Sequence, residues 1–174
     1  MKRTNHVIIS VRRNKFPVSV IDSNRLIISS CFFLIPGYYA LTQGLYWYLS
    51  TSVITTIVSI NYWRHAIPGF RRSTDMIVAK VSFIIYFSTG VMRVNDANIL
   101  YVAWTVCGGI IICYFFSNKL WEKDSSNWVF YHMTFHLLVA LEQYIVLMGA
   151  FYVNIENFIE DVKINYKIHI LNNF

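Results

Sequence analysis

The chain has 174 residues, of which 56% are hydrophobic, 17% aromatic and only 14% charged. Soluble domains carry about a quarter charged residues, so this composition excludes both a disordered segment and an ordinary soluble domain, and most of the chain is needed to build membrane spans. Fifteen Lys and Arg against nine Asp and Glu give a net charge of +6, and the basic residues fall between apolar blocks, an arrangement that suits cytoplasmic loops rather than a nucleic-acid surface.

Residues 1–25 hold Lys2, Arg3, Arg12, Arg13, Lys15 and Arg25 but no apolar run of the length a cleaved signal peptide needs. They read as a basic cytoplasmic lead. The first span is expected at residues 26–42, with Pro36-Gly37 as a candidate kink. The second follows at residues 45–63 across only Gln43-Gly44, so the pair reads as a helical hairpin. Further spans are expected at 76–92, 99–116 and 128–153, each close to the length needed to cross a bilayer. Residues 154–174 then form an extracytoplasmic or lumenal tail, short and amphipathic or loosely ordered. The expected fold is all-α, a polytopic bundle of about five spans. Its N-terminus is placed in the cytoplasm because eleven of the fifteen basic residues then share that side. Cys31, Cys107 and Cys113 lie in apolar runs and read as buried thiols rather than a disulfide framework.

Charged and imidazole groups inside spans are costly and usually face a protein interior or a cavity. His132 and His136 are one helical turn apart and share a face, which suits either one metal ion or hydrogen bonds to neighbouring helices. Asp75 opens the third span, where an acid is an ordinary helix cap. Ser59 lies near the end of the second. With alternating spans, Ser59, Asp75, His132 and His136 all fall near one leaflet, as a buried polar site requires. Glu142 lies off the histidine face and is expected to pair with another helix; Lys80 either snorkels or pairs. Tyr46, Trp47, Tyr48, Tyr62, Trp63, Trp121, Trp128 and Tyr131 cluster near span ends as an interfacial belt. Gly108-Gly109 offers room for a close helix crossing.

The stretch Ser59-Ile60-Asn61-Tyr62-Trp63, followed by Arg71-Arg72-Ser73-Thr74-Asp75, and the pair His132-Met133-Thr134-Phe135-His136 resemble motifs of one superfamily. It joins alkaline ceramidases, progestin and adiponectin receptors and haemolysin-III-like proteins. The resemblance covers roughly residues 26–92 and 128–153. It implies an intramembrane zinc site with His132 and His136 as ligands, and with Ser59 and Asp75 handling the zinc-bound water. It also implies lipid amides such as ceramide as substrates, and the endoplasmic reticulum or another internal membrane as the location. Two departures stand out. Trp63 occupies the place of the family's first histidine, which leaves His65 to supply a third ligand if the helix ends early. The family has seven helices where five are read here. The favoured expectation is therefore a non-enzymatic or degenerate lipid-binding or assembly protein. The alternative is a zinc-dependent intramembrane hydrolase of ceramide-like lipids. Expected partners are membrane lipids and not nucleic acid, with homo- or hetero-oligomers in the membrane left open.

Overall fold

The computed structural model describes residues 18–123 and 125–171, with side chains described as far as Phe151. The basic lead is therefore described only from Val18 onward. Among the described residues there is helix and no strand. The elements are α1 (Val20–Ser30), a 3-10 turn (Cys31–Phe33), α2 (Leu34–Thr42), α3 (Tyr46–Trp63), α4 (Phe70–Arg93), α5 (Ala97–Glu122) and α6 (Trp128–Leu171). Among the described residues, four segments are long and apolar enough to cross a membrane: Val20–Thr42, Phe70–Arg93, Ala97–Glu122 and Trp128–Phe151. The chain is thus an all-α, multi-span membrane bundle.

Several helix ends differ from the sequence expectation. The first helix starts at Val20, ahead of Leu26, because the Ser19 side chain accepts the Asp22 amide and caps it. The irregularity in that segment falls at Cys31–Phe33, one turn before Pro36 rather than at it. Proline has no N–H to donate to the carbonyl four residues back and its ring crowds that carbonyl, so the distortion lies upstream. α4 starts at Phe70 rather than Met76, from Gly69 at φ 143°, a conformation that favours glycine. Asp75 consequently sits in the second turn of α4 and caps nothing. At the other end of the chain, α6 continues as one helix through Leu171, past the span end expected at Val153.

The eighteen residues of α3 are not among the four most apolar segments, and the reason lies in how it packs. Ser52, Thr55, Thr56 and Ser59, at the i, i+3, i+4 and i+7 positions of one face, are all buried, while Ile54 and Ile57 face outward. Small hydroxyl residues let backbones approach and bond across helices where lipid supplies no hydrophobic drive between them. Ser52 Oγ meets the Tyr86 hydroxyl of α4 at 3.0 Å, and Tyr48 meets Thr89 at 2.8 Å. Gln143 of α6 donates to Ser82 at 3.1 Å. Around these bonds Ala40, Tyr86, Val146 and Leu147 form one apolar core.

α6 is the central helix, packed by α1, α2, α4 and α5. α4 and α5, although consecutive, hardly touch each other: α4 packs on α3 and α6, and α5 packs on α6. Of the glycine pair, Gly109 faces Leu138 so closely that a Cβ would come within 3.2 Å of it, while Gly108 faces open space. The cysteines are free, but not buried as expected: Cys31 is exposed and Cys107 and Cys113 are half-buried, on surfaces a membrane bundle turns toward lipid. Lys80 stands on the outer face of α4.

Candidate functional site

The up-and-down path of the helices brings the end of α3, the start of α4, the end of α5 and the start of α6 to one end of the bundle. A cavity of about 120 Å³ opens there. Its walls include Tyr62 and Trp63 from α3, Arg72 and Asp75 from α4, Ser117, Asn118 and Trp121 from α5, and Trp128 and His132 from α6. The Asp75 carboxyl interacts with the Ser59 hydroxyl. Ser59 in turn lies 3.0 Å from Ser30 Oγ of α1. Three of the four polar residues expected near one leaflet are thereby joined to the same end, and the fourth, His136, lies one turn deeper on α6.

The two imidazoles are neighbours, with ring centroids 4.8 Å apart and planes at 72°. Each has a serine on its Nδ1. Ser29 Oγ lies 2.8 Å from His136 Nδ1 and gives its own proton to the Leu26 carbonyl at 3.0 Å. A hydroxyl has one proton, so with that proton on the Leu26 carbonyl it is Nδ1–H of His136 that donates to Ser29. Ser117 stands in the same relation to His132 Nδ1 at 3.2 Å, with its proton directed at the Trp128 carbonyl at 3.4 Å. With both serine protons on the carbonyls, each ring keeps a lone pair on Nε2.

A lone pair on each Nε2 suits a metal, and the two imidazoles would be two of its ligands. A catalytic zinc takes three protein ligands and a water. Among the described residues no group of three or more His, Cys, Asp and Glu side chains is gathered for a metal. His65 is exposed on the loop between α3 and α4 and lines a separate groove with Pro68 and Phe70. Trp63 lies edge-on to His132 at 5.0 Å between ring centroids and 73° between planes. Its indole offers an N–H and no lone pair. That Nε1 is buried and has no hydrogen-bond partner among the described residues.

The aromatic residues near the helix ends divide into two groups. Trp47 and Tyr46 are largely exposed, as interfacial anchors are. Trp63 is only 5% exposed, and Trp121 and Trp128 are half-buried with it around the cavity, so these three are site walls rather than belt. The serines that hold the histidines, Ser29 and Ser117, were not singled out by sequence. Their only signal is a small hydroxyl inside an apolar run, which Ser30, Ser50 and Ser82 share.

Glu142 is 8% exposed in a second, narrow cleft of about 30 Å³ with Trp104 and Cys107. It lies away from the histidine pair and within electrostatic range of Tyr86 and Cys107. Comparison with family models, with curated proteins and with solved structures finds no match to the chain.

Proposed function

We propose that the chain is a non-catalytic membrane protein that holds a lipid headgroup in the cavity at the Asp75 end of the bundle. The observation that carries this reading is the cavity itself. An acid, a base and an imidazole (Asp75, Arg72 and His132) converge with three inward-turned tryptophans in a space open at the level of the helix ends. Polar groups placed there meet a headgroup without burying charge in hydrocarbon, and the neighbouring helix faces accept acyl chains. Arg25, Arg64, Arg71, Arg72, Lys119 and Lys123 flank this end while Arg93 lies at the other, a bias that supports a cavity facing the cytoplasm. The sequence likeness to ceramidase-type proteins supports a lipid ligand and an internal membrane. It does not extend to catalysis, because Trp63 stands where that family has its first metal ligand.

The test is native mass spectrometry of the protein extracted in a maltoside detergent. One lipid is expected to remain per chain. Asn118→Trp, at an exposed position on the cavity wall, narrows the cavity with little risk to the fold and is expected to lower retention by about tenfold, the equivalent of 1.4 kcal/mol. Equal retention in the variant would remove the headgroup site. The second reading, a zinc-dependent lipid amidase, is favoured by one observation, the free Nε2 on both histidines. It requires one zinc per chain, lost in a His132→Ala/His136→Ala double variant, and fatty-acid release from ceramide abolished by Asp75→Ala. Asp75-dependent release would overturn the non-catalytic reading.

A further inference from the structure

We infer that the cavity recognises a quaternary ammonium group, so that the lipid held there is one with a phosphocholine head. The inference rests on the headgroup reading above and names its ligand.

The three indoles make a corner, not a stack. Trp121 meets Trp128 at 4.6 Å between ring centroids with planes at 80°, and Trp63 meets Trp128 at 6.2 Å with planes at 35°. Tyr62 lies against Trp63 at 4.5 Å. Aromatic faces attract a cation through their quadrupoles, and tryptophan is the strongest of them. Asp75 supplies a carboxyl on the same wall. An aromatic corner with one acid suits a quaternary ammonium better than a primary one. A primary ammonium carries three N–H donors that each seek an acceptor, and indole faces offer none, whereas a trimethylammonium has no donor to satisfy. The cavity has room for several non-hydrogen atoms, enough for that group.

The opposite charge of the ligand also has a place. Arg72 is three residues before Asp75 on α4, so the two share a face as neighbours and both line the cavity. Among the described residues neither forms an ion pair. A zwitterion bridges them, its phosphate at the exposed Arg72 guanidinium and its ammonium at Asp75 and the indoles. The buried Trp63 N–H is a further donor on that wall that lacks a partner among the described residues. A purely anionic head would satisfy Arg72 and leave the acid and the aromatic corner facing it without a cation.

The experiment uses the full chain in maltoside micelles and follows tryptophan fluorescence. The probes are short-chain phosphatidylcholine, the matched phosphatidylethanolamine and phosphatidylglycerol, and soluble phosphocholine. Phosphatidylcholine is expected to bind about tenfold more tightly than either other lipid. Trp121→Leu and Asp75→Asn should erase that preference, Trp121→Phe should keep part of it, and Trp47→Leu, at an exposed site, should leave it unchanged. Binding of all three lipids with equal affinity overturns the ammonium site and leaves the headgroup reading standing. Binding of none overturns both. Binding of soluble phosphocholine but not of the lipid keeps the chemistry of the corner and overturns the lipid as its source.

Discussion

Trp63→His is expected to gain zinc. The substitution puts a third imidazole beside His132, whose ring lies 5.0 Å from the present indole and 4.8 Å from His136. Ser117 and Ser29 lie against His132 Nδ1 and His136 Nδ1, an arrangement compatible with Nε2 lone pairs on both rings. Three imidazoles and a water complete a tetrahedral shell that two cannot close. The expected gain in zinc affinity is on the order of a hundredfold, about 2.7 kcal/mol. The cost appears in the metal-free form. Truncating a buried tryptophan to alanine costs about 3–5 kcal/mol, and histidine, which fills part of the space, costs less. Zinc at about a hundred times its dissociation constant returns about 2.7 kcal/mol, so thermal stability should recover on adding the metal. Metal analysis after dialysis and a melting curve with and without zinc check both parts. A variant that melts lower and gains no zinc would mean that position 63 is not oriented toward the pair.

The largest loss of stability is expected at Tyr86. The residue is fully buried, its ring packs against Tyr48 at 5.5 Å between centroids, and its hydroxyl meets Ser52 at 3.0 Å. It ties α3 to α4 in the layer where Val146 and Leu147 of α6 complete the core. Tyr86→Ala removes the ring and leaves a cavity, at about 3–5 kcal/mol. Tyr86→Phe keeps the packing and leaves Ser52 unpaired, at about 1–3 kcal/mol. Unfolding in mixed detergent should rank the two in that order. If phenylalanine proved as damaging as alanine, the hydrogen bond rather than the packing would hold this layer together.

The sequence carried the fold at the level where hydrophobic length decides. Apolar runs, the two-residue turn at Gln43-Gly44 and the charge between blocks are local signals, and they determine how many helices there are and in what order. Helix starts were less legible. The residues just before Leu26 and Met76 are polar, and hydropathy alone does not extend a helix into them. The Ser19 cap and the glycine conformation at Gly69 do that.

The site was legible in outline for a related reason. The i, i+4 histidines and the alternation of spans fix which end of the bundle each polar group approaches. What sequence did not supply is pairing across helices. Any of the serines in apolar runs was a candidate partner for an imidazole, and only packing selects Ser29 and Ser117. The aromatic corner was hidden in the same way: a tryptophan near a helix end looks identical in sequence whether it is exposed, as Trp47 is, or lines the cavity, as Trp63 does. His65 was drawn toward the site by chain proximity alone, and the turn that ends α3 carries it outward instead.

The central claim is that α3, α4 and α6 present their polar groups to water at one shared end. Cysteine accessibility in sealed vesicles measures this directly, in a background where Cys31, Cys107 and Cys113 are replaced by alanine. Asp75→Cys and Asn118→Cys are expected to react with a membrane-impermeant thiol reagent from the same side as Arg64→Cys, and to be protected by bound lipid. Asn95→Cys is expected to react only from the other side. Labelling of the position-75 thiol from the Asn95 side, or from neither side, would contradict the account.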